Sequence, residues 1–243
     1  MLIQDTSISV RFNKIENLKK IYFLNEELLK THFNEATVLP VPDEAPLEIP
    51  RIILKSKNEH SQLNITPVNA TLQIIYNDGY EKNWDNCATY IMGKMDIIFK
   101  FLNIVTNDEY EYIGMVTNVI IDEIAENGAQ FLANNLLKND ISSRIYDISL
   151  KYTFREFDDM FVNVELQNAR MYRQGVNLEV AGGLNTMYQD RETVGVTIDI
   201  NDRFGFNMDK HYKTNKEKVR KILEISTIVI NEKLDSLIYK GEY

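Results

Sequence analysis

All five prolines of this 243-residue chain fall between Pro40 and Pro67, and four of them crowd into Pro40-Val41-Pro42-Asp43-Glu44-Ala45-Pro46-Leu47-Glu48-Ile49-Pro50. Proline lacks a backbone donor and pushes its predecessor towards extended geometry, so residues 40–50 read as a rigid, extended connector. The same geometry would suit a peptide ligand for an aromatic groove, but a passage from a helix to a strand is the simpler use. After Pro67 no proline interrupts the chain, which leaves the remainder free to form long helices and strands.

Periodicity then assigns the elements. Ser7-Ile8-Ser9-Val10-Arg11-Phe12 alternates polar and apolar, the period of a strand. Asn17 is placed to cap a helix reaching about residue 31, with Leu18, Ile21, Tyr22, Leu28 and Leu29 recurring at three and four residues. Strands are expected at 51–55 and 70–76, the second ending in the turn-forming Asn77-Asp78-Gly79. A long helix follows over 82–104, striped by Trp84, Tyr90, Ile91, Met95, Ile98 and Leu102.

The later part runs in a similar order. It has a β-rich stretch at 110–124, a short helix at 128–137, strands at 147–154, 161–172, 176–180 and 193–200, and a closing helix. Thr214 followed by Glu217 has the spacing of a capping box, and Gly241 sits just past the helix end. The expected fold class is α+β: two packed halves of antiparallel sheet, each backed by a long helix, in a helix-grip or saddle-like order. The halves divide as residues 1–106, containing the connector, and 107–243, ending in the terminal helix.

Charge narrows the partners. Twenty-seven Lys and Arg against 36 Asp and Glu leave a net charge of −9, the wrong sign for a surface that tracks phosphate throughout, so nucleic acid is disfavoured. The basic run from Lys210 to Lys221 alternates with apolar positions and reads as a solvated helix face. No apolar run reaches the roughly 18 residues needed to span hydrocarbon, and the first residues lack the basic and apolar regions of a secretory leader. The single Cys87 excludes an internal disulfide, and a cytoplasmic setting is the expectation. Abundant Asn, Ile, Lys and Tyr point to an AT-rich bacterial source.

The usual chemical signatures are missing. There is no Walker-type or dinucleotide-binding glycine pattern, and Gly182-Gly183 falls between strands, where it reads as a hairpin loop. His32, His60 and His211 are too dispersed for a zinc-protease pair, and no cofactor is implied. Two constellations stay open. Arg155, Arg170, Tyr172, Arg173 and Arg203, interleaved with Phe157, Tyr188 and Phe204, supply the directional donors and contact area favoured at protein interfaces. Glu165, Asp199 and Asp202, on or beside strands, could supply oxygen ligands to a divalent ion in a metal-dependent phosphoesterase or nuclease.

Ser56-Lys57-Asn58, the strand 72–76 followed by Trp84, and the closing helix together resemble a sporadically distributed bacterial family of similar size. That family is uncharacterised and often guessed to belong to mobile or defence-related loci, so the resemblance carries over no catalytic residue. The expected function is a non-enzymatic binding or assembly protein acting through a sheet face or edge on a protein partner or a second copy. The resemblance sets it within a defence or toxin-neutralising system.

Overall fold

The computed structural model describes residues 1–42, 44–77, 79–122, 124, 127–137, 144–157, 159–177 and 184–243, without the side chains of 173–177 and 184–189. Its strands are β1 (Leu2–Arg11), β2 (Thr37–Val38), β3 (Ile52–Lys55), β4 (Ser61–Ile65), β5 (Asn69–Ile75), β6 (Tyr112–Ile121), β7 (Ser149–Glu156), β8 (Met160–Asn177) and β9 (Leu184–Asn201). They form one sheet in the order β2-β3-β4-β5-β1-β6-β9-β8-β7, every pair antiparallel. The helices are α1 (Leu18–Asn25), α2 (Glu27–Lys30), α3 (Trp84–Thr106), α4 (Gly128–Leu132), α5 (Arg203–Met208), α6 (Glu217–Ile228) and α7 (Leu234–Lys240).

The period-two pattern gives the sheet an apolar side. Ile8 and Val10 of β1, Leu72 and Ile74 of β5, Ile113 and Met115 of β6, Ile198 and Ile200 of β9, and Val162 and Val164 of β8 are all buried there. Each such side chain contributes about 1.5–3 kcal/mol by leaving water. Thr6 and Thr117 are buried on the same side and satisfy one another at 3.2 Å across the β1–β6 seam. The register of that seam shifts between Ile3 and Asp5, a bulge that lets Ile3 and Thr6 both face inward although they differ by an odd number of positions.

Helix α3 lays Ile91, Met95, Ile98, Phe101 and Leu102 on this core. Asn83 caps it by accepting from the amide of Asn86 at 3.1 Å, and Asn107 ends it in left-handed geometry at φ 53°. Trp84, buried in its first turn, donates its indole N–H to Thr227 of α6 at 3.0 Å, so the two long helices are tied by a hydrogen bond as well as by packing.

Three expectations from sequence are corrected. Asn17 does not cap α1: its backbone is left-handed at φ 56° and its side chain accepts no amide, and the expected single helix is two short ones. The amides of Leu29 and Lys30 both bond to Glu26, mixing two hydrogen-bond spacings at the junction. Thr214 likewise does not cap α6. It is buried in an isolated bridge to Tyr110, while the amide of Glu217 bonds to the Asn215 side chain at 2.9 Å. The closing helix itself spans the expected length as α6, a π-type turn over Val229–Lys233, and α7, ending at Gly241 with φ 72°. Finally, the expected separate strands at 161–172 and 176–180 are one strand, β8, as far as Asn177, and 178–180 lie outside the described residues.

The connector is held to the body by Arg51. Its guanidinium donates to the carbonyl oxygens of Ile49 at 2.7 Å and Ala45 at 3.1 Å, and to those of Pro42 and Pro46 at 3.4 Å. Because prolines donate nothing, a cation with five N–H groups is a suitable partner for such a stretch.

Candidate binding surfaces

β7 pairs with β8 only over residues 160–167, and β6 pairs with β9 only over residues 194–201. Beyond those limits, from Asn168 to Asn177 and from Leu184 to Thr193, β8 and β9 have only each other as ladder partners among the described residues. The result is a two-stranded ribbon extending about 30 Å past the sheet at roughly 3.3 Å per residue. Neither of its outer edges has a strand neighbour among the described residues.

The base of the ribbon is firmly fixed. Arg170, only 14% exposed, donates to Asp147 at 2.7 Å, to Glu192 at 3.2 Å and to the carbonyl of Tyr146, and its guanidinium lies 4.0 Å from the centre of the Tyr146 ring. The Arg170 hydrogen bond holds the Asp147 carboxyl below the usual carboxylate range. Thr193 donates to the carbonyl of Ile121. Helix α4 lies so close that a Cβ on Gly128 would stand 2.0 Å from the Thr193 carbonyl oxygen. Immediately beyond, the register shifts between Met171 and Tyr172, both exposed. Arg173 stands opposite Tyr188 in the ladder, but its side chain lies outside the described residues, as does the Gly182-Gly183 pair.

The sheet's other face carries a different surface. Register places Arg155, Phe161, Asn201, Gly114, Ser9, Thr71 and Asn64 in one row, and Thr153, Asn163, Asp199, Val116, Ser7 and Gln73 in the next. These polar groups bond to one another: Ser9 to Thr71 at 2.9 Å, Thr153 to Asn163 at 2.9 Å and Asn163 to Asp199 at 3.2 Å. At one corner Arg203 lies 4.7 Å from the Tyr112 ring centre and donates to its hydroxyl at 3.0 Å. Arg155 lies 5.1 Å from the Phe204 ring, which packs edge-on against Phe161. A depression of about 310 Å³ opens beside them over Gly114, between Arg11, Tyr112, Asp199 and Arg203.

Of the sequence-predicted binding set, then, Arg155 and Arg203 share a corner of the open face. Arg170 and Tyr172 belong to the ribbon, Arg170 projecting from the face that also carries Val164 and Leu166.

The three carboxylates of the metal expectation do not converge. Glu165 accepts from Ser149 at 2.8 Å, and Asp199 from Asn163 and Asn201, on the open face. Asp202 is fully buried, accepting the Ile113 amide at 2.7 Å and the Tyr212 hydroxyl at 2.9 Å, and burial pushes its pKa up. Among the described residues no three His, Cys, Asp or Glu side chains come together as a metal site.

Sequence reading missed Arg11, Tyr112 and Gly114, which reach the depression only through the β1–β6–β9 pairings. The alternation of Ser7, Ser9 and Arg11 was the one visible sign of a polar face there.

Fold and surfaces together define an α+β protein whose described residues form one nine-stranded antiparallel sheet, with the long helices α3 and α6 on its apolar side and a projecting ribbon. No protein-family model and no curated protein matches the chain. No helix among the described residues is long and apolar enough to cross a membrane.

Proposed function

We propose that the chain is a binding and assembly protein whose contact arm is the β8–β9 ribbon, and that the arm pairs with the same arm of a second copy. The observation that carries this reading is that neither outer edge of the ribbon has a neighbouring strand among the described residues, since an edge without a ladder partner is a template for another strand and an isolated two-stranded ribbon is marginal in water. A two-fold contact of like with like is the commonest way soluble chains associate.

The overall plan supports it. We read the molecule as two like halves joined along β1 and β6, because the order β3-β4-β5-β1 is mirrored by β7-β8-β9-β6 and each half runs strand, short helix, strands, long helix. In that reading the β4–β5 hairpin of 5- and 7-residue strands corresponds to the β8–β9 hairpin of 18-residue strands. The extension is therefore what the second half adds to the plan. Its charge suits self-association too: residues 168–194 carry three arginines and three carboxylates, whereas the whole chain carries −9 and repels its copies elsewhere.

Replacing residues 172–189 by Asn-Gly, which favours a tight hairpin turn, removes the arm and spares the anchored base. We expect the intact protein to weigh as a dimer by light scattering and native mass spectrometry, and the shortened one as a monomer with unchanged circular dichroism. An intact protein that stays monomeric at every concentration, or a shortened one that still dimerises, overturns the reading.

A further inference from the structure

A cavity of about 440 Å³ opens where the proline connector passes the start of α1. Its lining includes Lys14, Glu16, Lys19, Lys20, Leu47 and Arg51. On a chain of net charge −9, the described lining residues, with four cations against one carboxylate, reverse the sign locally.

Arg51 makes that reversal matter. The residue is 2% exposed, and among the described residues its hydrogen-bond partners are the four neutral carbonyls that hold the connector. Among the described residues it has no carboxylate within ion-pairing distance, so those carbonyls satisfy its donors without offsetting its charge. Lys19 is similarly engaged by a carbonyl, that of Val41 at 3.0 Å. Glu16, the one lining carboxylate, stands 4.0 Å from Lys14 and is 79% exposed, too far into solvent to neutralise the interior.

The backbone adds donors. The first intrahelical bond of α1 comes from the amide of Ile21, so the amides of Leu18, Lys19 and Lys20 have no intrahelical acceptor, and the left-handed Asn17 supplies no side-chain cap. Leu47 and the buried Pro67 give the cavity an apolar wall, and its volume falls within the roughly 300–1,000 Å³ of small-molecule sites.

We propose that this cavity binds a small organic phosphate. The phosphate is held by Lys14, Lys20 and amides at the start of α1 within the field of Arg51, and the organic part lies against Leu47 and Pro67. This site is separate from the ribbon and stands whether or not the chain dimerises.

The test is calorimetric titration of the full chain with inorganic phosphate and with AMP. It uses the wild type, the double variant Lys14→Ala with Lys20→Ala, and a control that removes two lysines from other surfaces, Lys100→Ala with Lys221→Ala. We expect saturable binding of both probes by the wild type, tighter for AMP. The cavity variant should weaken each by about tenfold per lysine, the loss of one charge-assisted hydrogen bond each, and the control should not. The proposal is overturned if neither probe saturates or if the two double variants lose affinity equally. AMP binding no tighter than phosphate overturns the assignment of an organic moiety.

Discussion

Cys87 shows how much a side chain's surroundings decide. It is fully buried, its thiol donates to the Tyr80 carbonyl at 3.2 Å, and burial pushes its pKa up to about 12. A thiol held protonated and out of solvent does not react. Iodoacetamide should therefore leave the native protein unmodified at neutral pH and label it stoichiometrically in denaturant; rapid labelling of the native form would refute the buried placement. Asp202 is the second case. Burial raises its folded pKa above the unfolded value, so its protonated form favours folding: the benefit is full below the ordinary aspartate range and is lost as pH rises through the raised value. Asp202→Asn should remove that fall from the curve of stability against pH, as read by chemical denaturation at several pH values. A variant whose curve runs parallel to the wild type would sink this assignment. Asp199 and Asp202 also explain why the acidic pair misled at the level of sequence. Asp199 keeps to the open face of β9, whereas Asp202 stands one residue past the strand's end and turns into the interior to accept the Ile113 amide. Arg155 and Arg203 could be singled out from composition, but their meeting around Phe204 and Tyr112 depends on which strands are neighbours, and that is not written in either segment.

Single elements were legible where one pattern dominated. The stripe of α3 and the alternation of β1 appear in the structure with their ends shifted by a few residues, because burial on one face drives both. β4 escaped notice: Ser61-Gln62-Leu63-Asn64-Ile65 has only two strongly apolar residues, and Ser61 is buried by its partners, not by its own character. The caps failed for a related reason. Asn17 and Thr214 have the right chemistry at the right spacing, but chain reversals around them place their backbones elsewhere. Two contacts between elements are open to test. Thr227→Val would leave the indole N–H of the buried Trp84 without its acceptor and should cost about 1–3 kcal/mol in urea unfolding. Gly128→Ala would drive a methyl group into the Thr193 backbone and should cost about 1–3 kcal/mol or more by separating α4 from the ribbon base. A Gly128→Ala protein as stable as the parent would mean that α4 does not sit where it is described.

At the scale of the molecule, stability is spread unevenly. β1 is bonded on both sides, to β5 and to β6, while among the described residues the ladder past Met171 joins only the two ribbon strands. Amide hydrogen exchange should accordingly be slowest at Ile8 and Val10 and faster along 172–177, unless association covers the arm. Comparable protection throughout a monomeric sample would contradict that gradient. The sheet's centre also has a bearing on how the chain is made. Ile8 faces Met115 across the seam, so β1 cannot pair with β6 until more than a hundred further residues have left the ribosome. Pairings that distant carry a large loop-closure entropy and belong to chains that fold in milliseconds to seconds, not microseconds. Pairing with β5 can cover one edge of β1 earlier, but the edge that β6 will take stays open through that interval, which makes β1 a stretch that a chaperone would have reason to hold.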